Sequence, residues 1–305
     1  MTAAAPLNQG GKVDSGKDKL DAYLDRINNL PPTPSLIIKL LALLKQPSPD
    51  IEEVVKLVKR DPALTTEVIK LCNSSYFRGE QLIAEVSEAT ARLGFSEVYR
   101  VIMMVSATRT ISLANVESVL EVEALCRHAI ATAVAAGVIA KAVAENPDSA
   151  FIAGLLHDVG KIALASAQGV RYQALAREIK IQGGSLSQAE KKNFGFDHSE
   201  VGSRLLERWD LPPEVVLAVR YHHNLTGAAD SGRLTATVVL ANMLAKEEEK
   251  KSAGDPGTVD DIAQAISILS LAPGPLSAVM EEVHEALKRD AGLLKAAPGK
   301  SRPTQ

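Results

Sequence analysis

The sequence predicts an all-α protein, and three observations carry that prediction. A capping residue followed by proline recurs at Thr33-Pro34, Ser48-Pro49 and Asp61-Pro62. That pair satisfies the free N–H groups of a first helical turn and pre-sets its φ. Behind each cap the apolar residues return at helical spacing: Ile37, Leu40, Leu41 and Leu44, then Ile51, Val54, Val55 and Val58, then Leu64, Val68, Leu71 and Cys72. Period-2 alternation bounded by turn residues is hard to find, so no substantial sheet is expected.

The remaining elements follow in order. Helices are predicted over Ser96–Ser112, Val119–Ala144, Ser149–Ala165, Ser187–Lys192, Ser199–Trp209, Pro213–His223, Leu234–Lys246, Asp260–Leu269 and Leu276–Lys288. Asn146-Pro147-Asp148 marks a sharp break between two of them, and Lys246–Pro256 reads as a fraying end with a solvated loop. No internal repeat of fixed period is present. Residues 1–18 and 296–305, small, polar and Pro/Gly-bearing, are expected to be mobile tails. The softest boundary lies near Leu113–Val119, which gives an N-terminal helical subdomain over 19–115 and a His-rich bundle over 116–295.

Composition narrows the function. With 305 residues, 46% of them hydrophobic, the chain can bury a large core. A net charge of −3 argues against a protein that works by neutralising phosphate backbones, and 4% aromatic residues supply few stacking platforms for bases. No nucleic-acid partner is expected, and Lys56, Lys59 and Arg60 read as a solvated face. Cys72 and Cys126 cannot form a disulfide framework. Met1–Asp21 lacks an apolar export core. The longest uncharged stretch, Ile262–Met280, carries Gln and Ser and is interrupted at Pro273-Gly274-Pro275, and Ala129–Ala140 falls short of the roughly 20 residues of a spanning helix. The expectation is a soluble, cytoplasmic protein without a membrane segment.

Six histidines carry the chemistry: His128, His157, His198, His222, His223 and His284. The segment Ala150–Leu164 is apolar on all faces yet holds His157, Asp158 and Lys161, with Gly154 and Gly160 leaving room for a backbone or an ion to approach. A carboxylate on such a helix costs several kcal/mol unless paired or metal-bound. Two readings stand: a metal site, or a buried Asp158–Lys161 ion pair with His157 hydrogen-bonded in the core. His128 is set among small apolar residues and points inward, as a ligand or a satisfied core ring. His198 opens a helix where Asp197 and Ser199 could provide local capping. His222 and His223 close one, as ligands of a site wider than one ion or as imidazoles at a helix C-terminus. His284, among Glu281, Glu282 and Glu285, reads as surface.

With these residues in view, the chain resembles the HD superfamily of metal-dependent phosphohydrolases, and more closely the HDOD domain, over about residues 30–223. The resemblance rests on Leu30-Pro31-Pro32-Thr33-Pro34, Asp61-Pro62-Ala63-Leu64-Thr65, Leu71–Phe77, Ala91-Arg92-Leu93-Gly94, Ala153–Lys161 and the His222-His223 pair. It implies a helical bundle of the HD superfamily with an N-terminal helical subdomain packed on it. It also implies a metal set of His128, His157, Asp158 and Asn242 for one ion. A second ion would be held by His198, His222 and His223 with Asp158 bridging, and Lys161 and Asp158 would be the catalytic pair. Imidazole-rich ligation with a bridging carboxylate suits Fe first, then Mn, Ni or Zn, in a mono- or dinuclear centre, and does not suit Mg or Ca.

Two departures set the chain apart from the related HD-GYP enzymes. Asn242 stands where the superfamily has its last Asp, which weakens the first ion. Asn224–Asp230 lacks the Gly-Tyr-Pro signature, and Ala124 supplies no carboxylate for a third ion. The resemblance therefore implies a bacterial signal-transduction output protein without robust catalysis, with other signalling proteins or a nucleotide second messenger as partners. The alternative is a phosphohydrolase or phosphodiesterase acting on a nucleotide or cyclic dinucleotide. Residues 244–295 are expected either to complete the bundle around Asn242 or to form a homodimer surface.

Overall fold

The computed structural model describes residues 15–25, 35–44, 50–74, 77, 81–112, 114, 116, 118–228, 232–249 and 259–289. Among them are sixteen α-helices and no strand. The first six are α1 (Ser15–Leu24), α2 (Ser35–Leu44), α3 (Ile51–Lys59), α4 (Pro62–Cys72), α5 (Val86–Leu93) and α6 (Phe95–Ser112). The rest are α7 (Val122–Ala142), α8 (Pro147–Leu156), α9 (Val159–Gln168), α10 (Val170–Gln182), α11 (Leu186–Phe194), α12 (His198–Arg208), α13 (Pro213–Tyr221), α14 (Gly232–Glu249), α15 (Val259–Ile268) and α16 (Pro273–Arg289).

Side-chain caps explain several starts. Asp61 accepts from Leu64 N–H at 3.0 Å ahead of Pro62, and Asn146 accepts from Asp148 and Ser149 ahead of Pro147. The cap of α3 is Asp50, which accepts from Glu52 and Glu53. The Thr33-Pro34 and Ser48-Pro49 caps, the Leu30–Pro34 motif and the tail 296–305 lie outside the described residues. The expected tail 1–18 needs correction, since α1 begins at Ser15. Its Leu20 and Leu24, one turn apart, are buried, and Asp21 takes a two-pronged bond from Arg204 of α12 at 2.6 and 2.7 Å. Two helices also went unforeseen, α5 and α10.

In the N-terminal half α3 buries Val54 and Val58 and leaves Lys56, Lys59 and Arg60 exposed. Asn73 straps the segment after α4, donating to Ile83 C=O at 2.7 Å and accepting from Ile83 N–H at 2.8 Å. Gly94, at φ 87, ends α5 in a conformation open chiefly to glycine, and α6 restarts at Phe95. Arg109 of α6 reaches back to Asp61 at 2.8 Å. One apolar cluster runs from Leu20 to Val238, so these helices share a core with the His-rich bundle.

The bundle closes through small residues. A Cβ at Gly154 of α8 would stand 2.9 Å from Ala133 Cα on α7. A Cβ at Gly160 of α9 would stand 1.9 Å from His198 C=O. Both glycines let backbones meet at the places where histidines sit. A second core cluster joins α7 to α14, α15 and α16, through Ala136, Leu240, Ala265 and Val283 among others. The helices after residue 244 thus complete the bundle. The expected absence of a membrane-length segment is corrected: Val122–Ala142 and Pro147–Gln168 are long and apolar enough to cross a membrane by length and composition. Their most apolar stretches are 67% and 83% buried inside the protein, which accounts for that apolarity by packing.

Candidate metal centre

The predicted Ser149–Ala165 helix is in fact two, and the break lies at His157-Asp158. Neighbouring residues of an unbroken helix point about 100° apart. Here the turn brings His157 Nε2 to 3.3 Å from Asp158 Oδ2. A second end serves the same purpose at α13, which stops at Tyr221 and leaves His222 and His223 in the following turn, ring centroids 4.0 Å apart. His198 is the first residue of α12, behind an Asp197–Glu200 capping box. His128 projects from the middle of α7 and Asn242 from α14.

These residues converge on Asp158, which is 3% exposed. Its Oδ2 faces His157 at 3.3 Å, His128 at 4.0 Å and the Lys161 ammonium at 2.6 Å. Its Oδ1 faces His198 at 3.2 Å and His222 at 3.9 Å. His198 Nε2 lies 2.9 Å from His223 Nε2, and His128 Nε2 lies 3.0 Å from Asn242 Oδ1. All eight predicted positions, Lys161 included, therefore meet in one centre. The Asp158–Lys161 ion pair is present, and so is a hydrogen bond from the core ring of His157. His284 stands apart on α16, half-buried.

The electrostatics of the centre follow from burial and from a few charges. Burial and the neighbouring imidazoles push the pKa of His222 and of His223 well below the ordinary value, and burial lowers that of His157. Burial also opposes charge on His198, but the Glu190 carboxylate overrides it and carries that ring up to about 9. Burial would raise Asp158; the ring of His157, the ammonium of Lys161 and the bond from His198 hold it well below the carboxylate range instead.

Two nitrogens test whether a metal fits. His157 Nδ1 donates to Gly154 C=O and His222 Nδ1 to Val219 C=O, each at 2.7 Å. With the proton fixed there, each Nε2 carries a lone pair, and each is buried with no hydrogen-bond partner. A buried acceptor left so costs free energy unless a cation takes it. Two groups, His198/His222/His223 and His128/His157/Asp158, hold their ligand atoms within 4.8 Å of one another. Nitrogen donors around one carboxylate are a set for a transition metal. The residues fit.

Glu190 and Tyr172 escaped the sequence reading. Glu190 is fully buried and accepts from His198 Nδ1, from His198 N–H and from Tyr172 O–H. Leu186–Phe194 reads as a polar surface helix, and nothing in its spacing marks one glutamate as inward.

An all-helical, HD-like bundle around a buried His/Asp centre defines the class. Residues 30–225 match the HDOD domain, and the chain belongs to that family. It is 29% identical over 239 residues to an uncharacterized protein of Treponema pallidum (strain Nichols), covering 76% of this chain and 45% of that one. The chain thus spans about half the length of that curated relative. The fold is shared with the Marinobacter aquaeolei VT8 crystal structure named "Putative signal transduction protein" (TM-score 0.76, 23% identity, 94% of this chain and 66% of that one). It is shared as well with the Shewanella amazonensis SB2B structure named "Putative phosphohydrolase" (TM-score 0.72, 19% identity, 90% and 98%).

Proposed function

We propose that this chain is a regulatory output protein of the HDOD type, organised by one or two transition-metal ions and without robust catalysis. The observation that carries the reading is the pair of buried Nε2 atoms on His157 and His222 that have no hydrogen-bond partner. His198, His222, His223 and Asp158 would hold the tighter ion; His128, His157, Asp158 and Asn242 would hold a weaker one. Fe is the first candidate, followed by Mn, Ni or Zn. A bound ion would tie together α7, the α8–α9 turn, α12 and the end of α13, and so set the shape offered to other signalling proteins or to a nucleotide second messenger. A cytoplasmic setting belongs to the same reading.

A second reading is supported by one feature. A polar cleft of about 230 Å³ is lined by His223, by the cations Lys191 and Arg220 and by the carboxylates Asp197, Glu200 and Asp261. A nucleotide phosphate could enter there, and an ion, when bound, supplies Lewis acidity to a phosphoryl group. Lys161 would then neutralise developing charge. Metal-loaded protein offered nucleotide monoesters, diesters and cyclic dinucleotides is expected to turn over none of them faster than Asp158→Ala. Turnover that disappears in Asp158→Ala would favour the hydrolase.

A further inference from the structure

We infer that Glu190, with Tyr172 behind it, is a positioning residue for the metal held by His198, His222 and His223. The inference rests on the metal-binding reading above and goes beyond it to the group that fixes one donor's tautomer and orientation.

The other two oriented rings use helical carbonyls. His157 and His222 each donate from Nδ1 to the carbonyl three residues earlier, Gly154 and Val219. Those carbonyls exist because each histidine follows a helix. His198 begins its helix, so the residue three before it, Gly195, lies in the turn that closes α11 at φ 90. The same job must be done from another element.

Glu190 does it from α11. Its Oε2 accepts from His198 Nδ1 at 2.6 Å and from His198 N–H at 2.7 Å, and its Oε1 accepts from Tyr172 O–H at 2.6 Å. Glu190 and Tyr172 are both fully buried. A carboxylate taken out of water is unfavourable, and three hydrogen bonds offset that cost. With its Nδ1–H held by Glu190, His198 turns Nε2 towards Asp158 and His223. A carboxylate behind an imidazole also makes it a stronger donor than a backbone carbonyl does.

The test is cobalt(II) titration of chelator-stripped protein, read by the visible absorption of imidazole-bound cobalt, in a His128→Ala background that confines loading to this cluster. Glu190→Gln keeps the shape and an amide oxygen for His198 N–H but removes the charge. It is expected to weaken cobalt binding about 10- to 100-fold and shift the absorption, beyond what any change in the unfolding temperature of the metal-free protein accounts for. Tyr172→Phe, which removes one donor to the carboxylate, is expected to weaken binding several-fold and decides the matter if Glu190→Gln does not fold. Unchanged affinity in both variants overturns the proposal alone. So does a loss that merely tracks a lower unfolding temperature with the spectrum unchanged. No uptake by the parent protein overturns the metal reading as well.

Discussion

The two sides of Asp158 differ in what already satisfies them. On one side Oδ2 meets the Lys161 ammonium at 2.6 Å, and Asn242 engages the Nε2 of His128 at 3.0 Å. A cation arriving there must compete with a lysine and with an amide for the same atoms. On the other side Oδ1 meets only imidazoles among the described contacts, His222 Nε2 has no hydrogen-bond partner, and His223 borders a polar cleft. That side has no lysine on the carboxylate oxygen among the described contacts, and it borders the cleft. One carboxylate thus serves a closed, electrostatically answered cluster and an open one, which is why the ion is assigned first to His198, His222 and His223.

Glycine substitutions should separate the two sides most strongly. Gly160→Ala puts a methyl 1.9 Å from the carbonyl of His198 and should cost about 3 kcal/mol or more, far above the ~1 kcal/mol gained in helix propensity. It should displace His198 and empty the open cluster. Gly154→Ala, whose methyl meets α7 at 2.9 Å, should cost about 1–3 kcal/mol and disturb the closed cluster instead. Urea unfolding with metal analysis checks both; equal costs and equal metal loss would mean the two sides are not independent.

Asn242→Asp should sharpen the comparison from the closed side. A carboxylate there replaces a neutral oxygen beside His128, and cobalt affinity of the closed cluster, measured in a His222→Ala/His223→Ala background, should rise about tenfold. No change would show that Lys161, rather than Asn242, sets the weakness of that side.

The smallest effect concerns the brace on α12. Asp21, hydrogen-bonded by Arg204 and Arg208, is lowered to about 2. A pKa lowered on folding adds stability that is present above the unfolded value near 3.9 and is lost as pH falls through about 2. Asp21→Asn should therefore cost about 0.5–1 kcal/mol at pH 7, with the gap to the parent narrowing below pH 4 and metal content unchanged. A gap that stays constant with pH would remove the carboxylate from the account.

Much of this was legible in the residues. The Pro-bearing cap at Asp61-Pro62, the break read at Asn146-Pro147-Asp148 and apolar stripes such as Leu64–Val68–Leu71 placed helices, because local turn signals and periodicity are read directly from the chain. The seven proposed ligands and Lys161 were legible through a family resemblance, and all of them converge in space. The break at His157-Asp158 was not, since an apolar run hides a turn that only its neighbours require. Glu190 was not legible either: its inward direction is set by α10 and by the start of α12, and the Lys191-Lys192 pair beside it reads as solvent-facing.

Metal content of protein purified without chelators tests the central claim most directly, with the parent chain beside His222→Ala/His223→Ala and beside His128→Ala. The account predicts about one transition-metal ion per chain in the parent, retained in His128→Ala and lost from the double variant. No metal above background in the parent, or loss in His128→Ala with retention in the double variant, would contradict it.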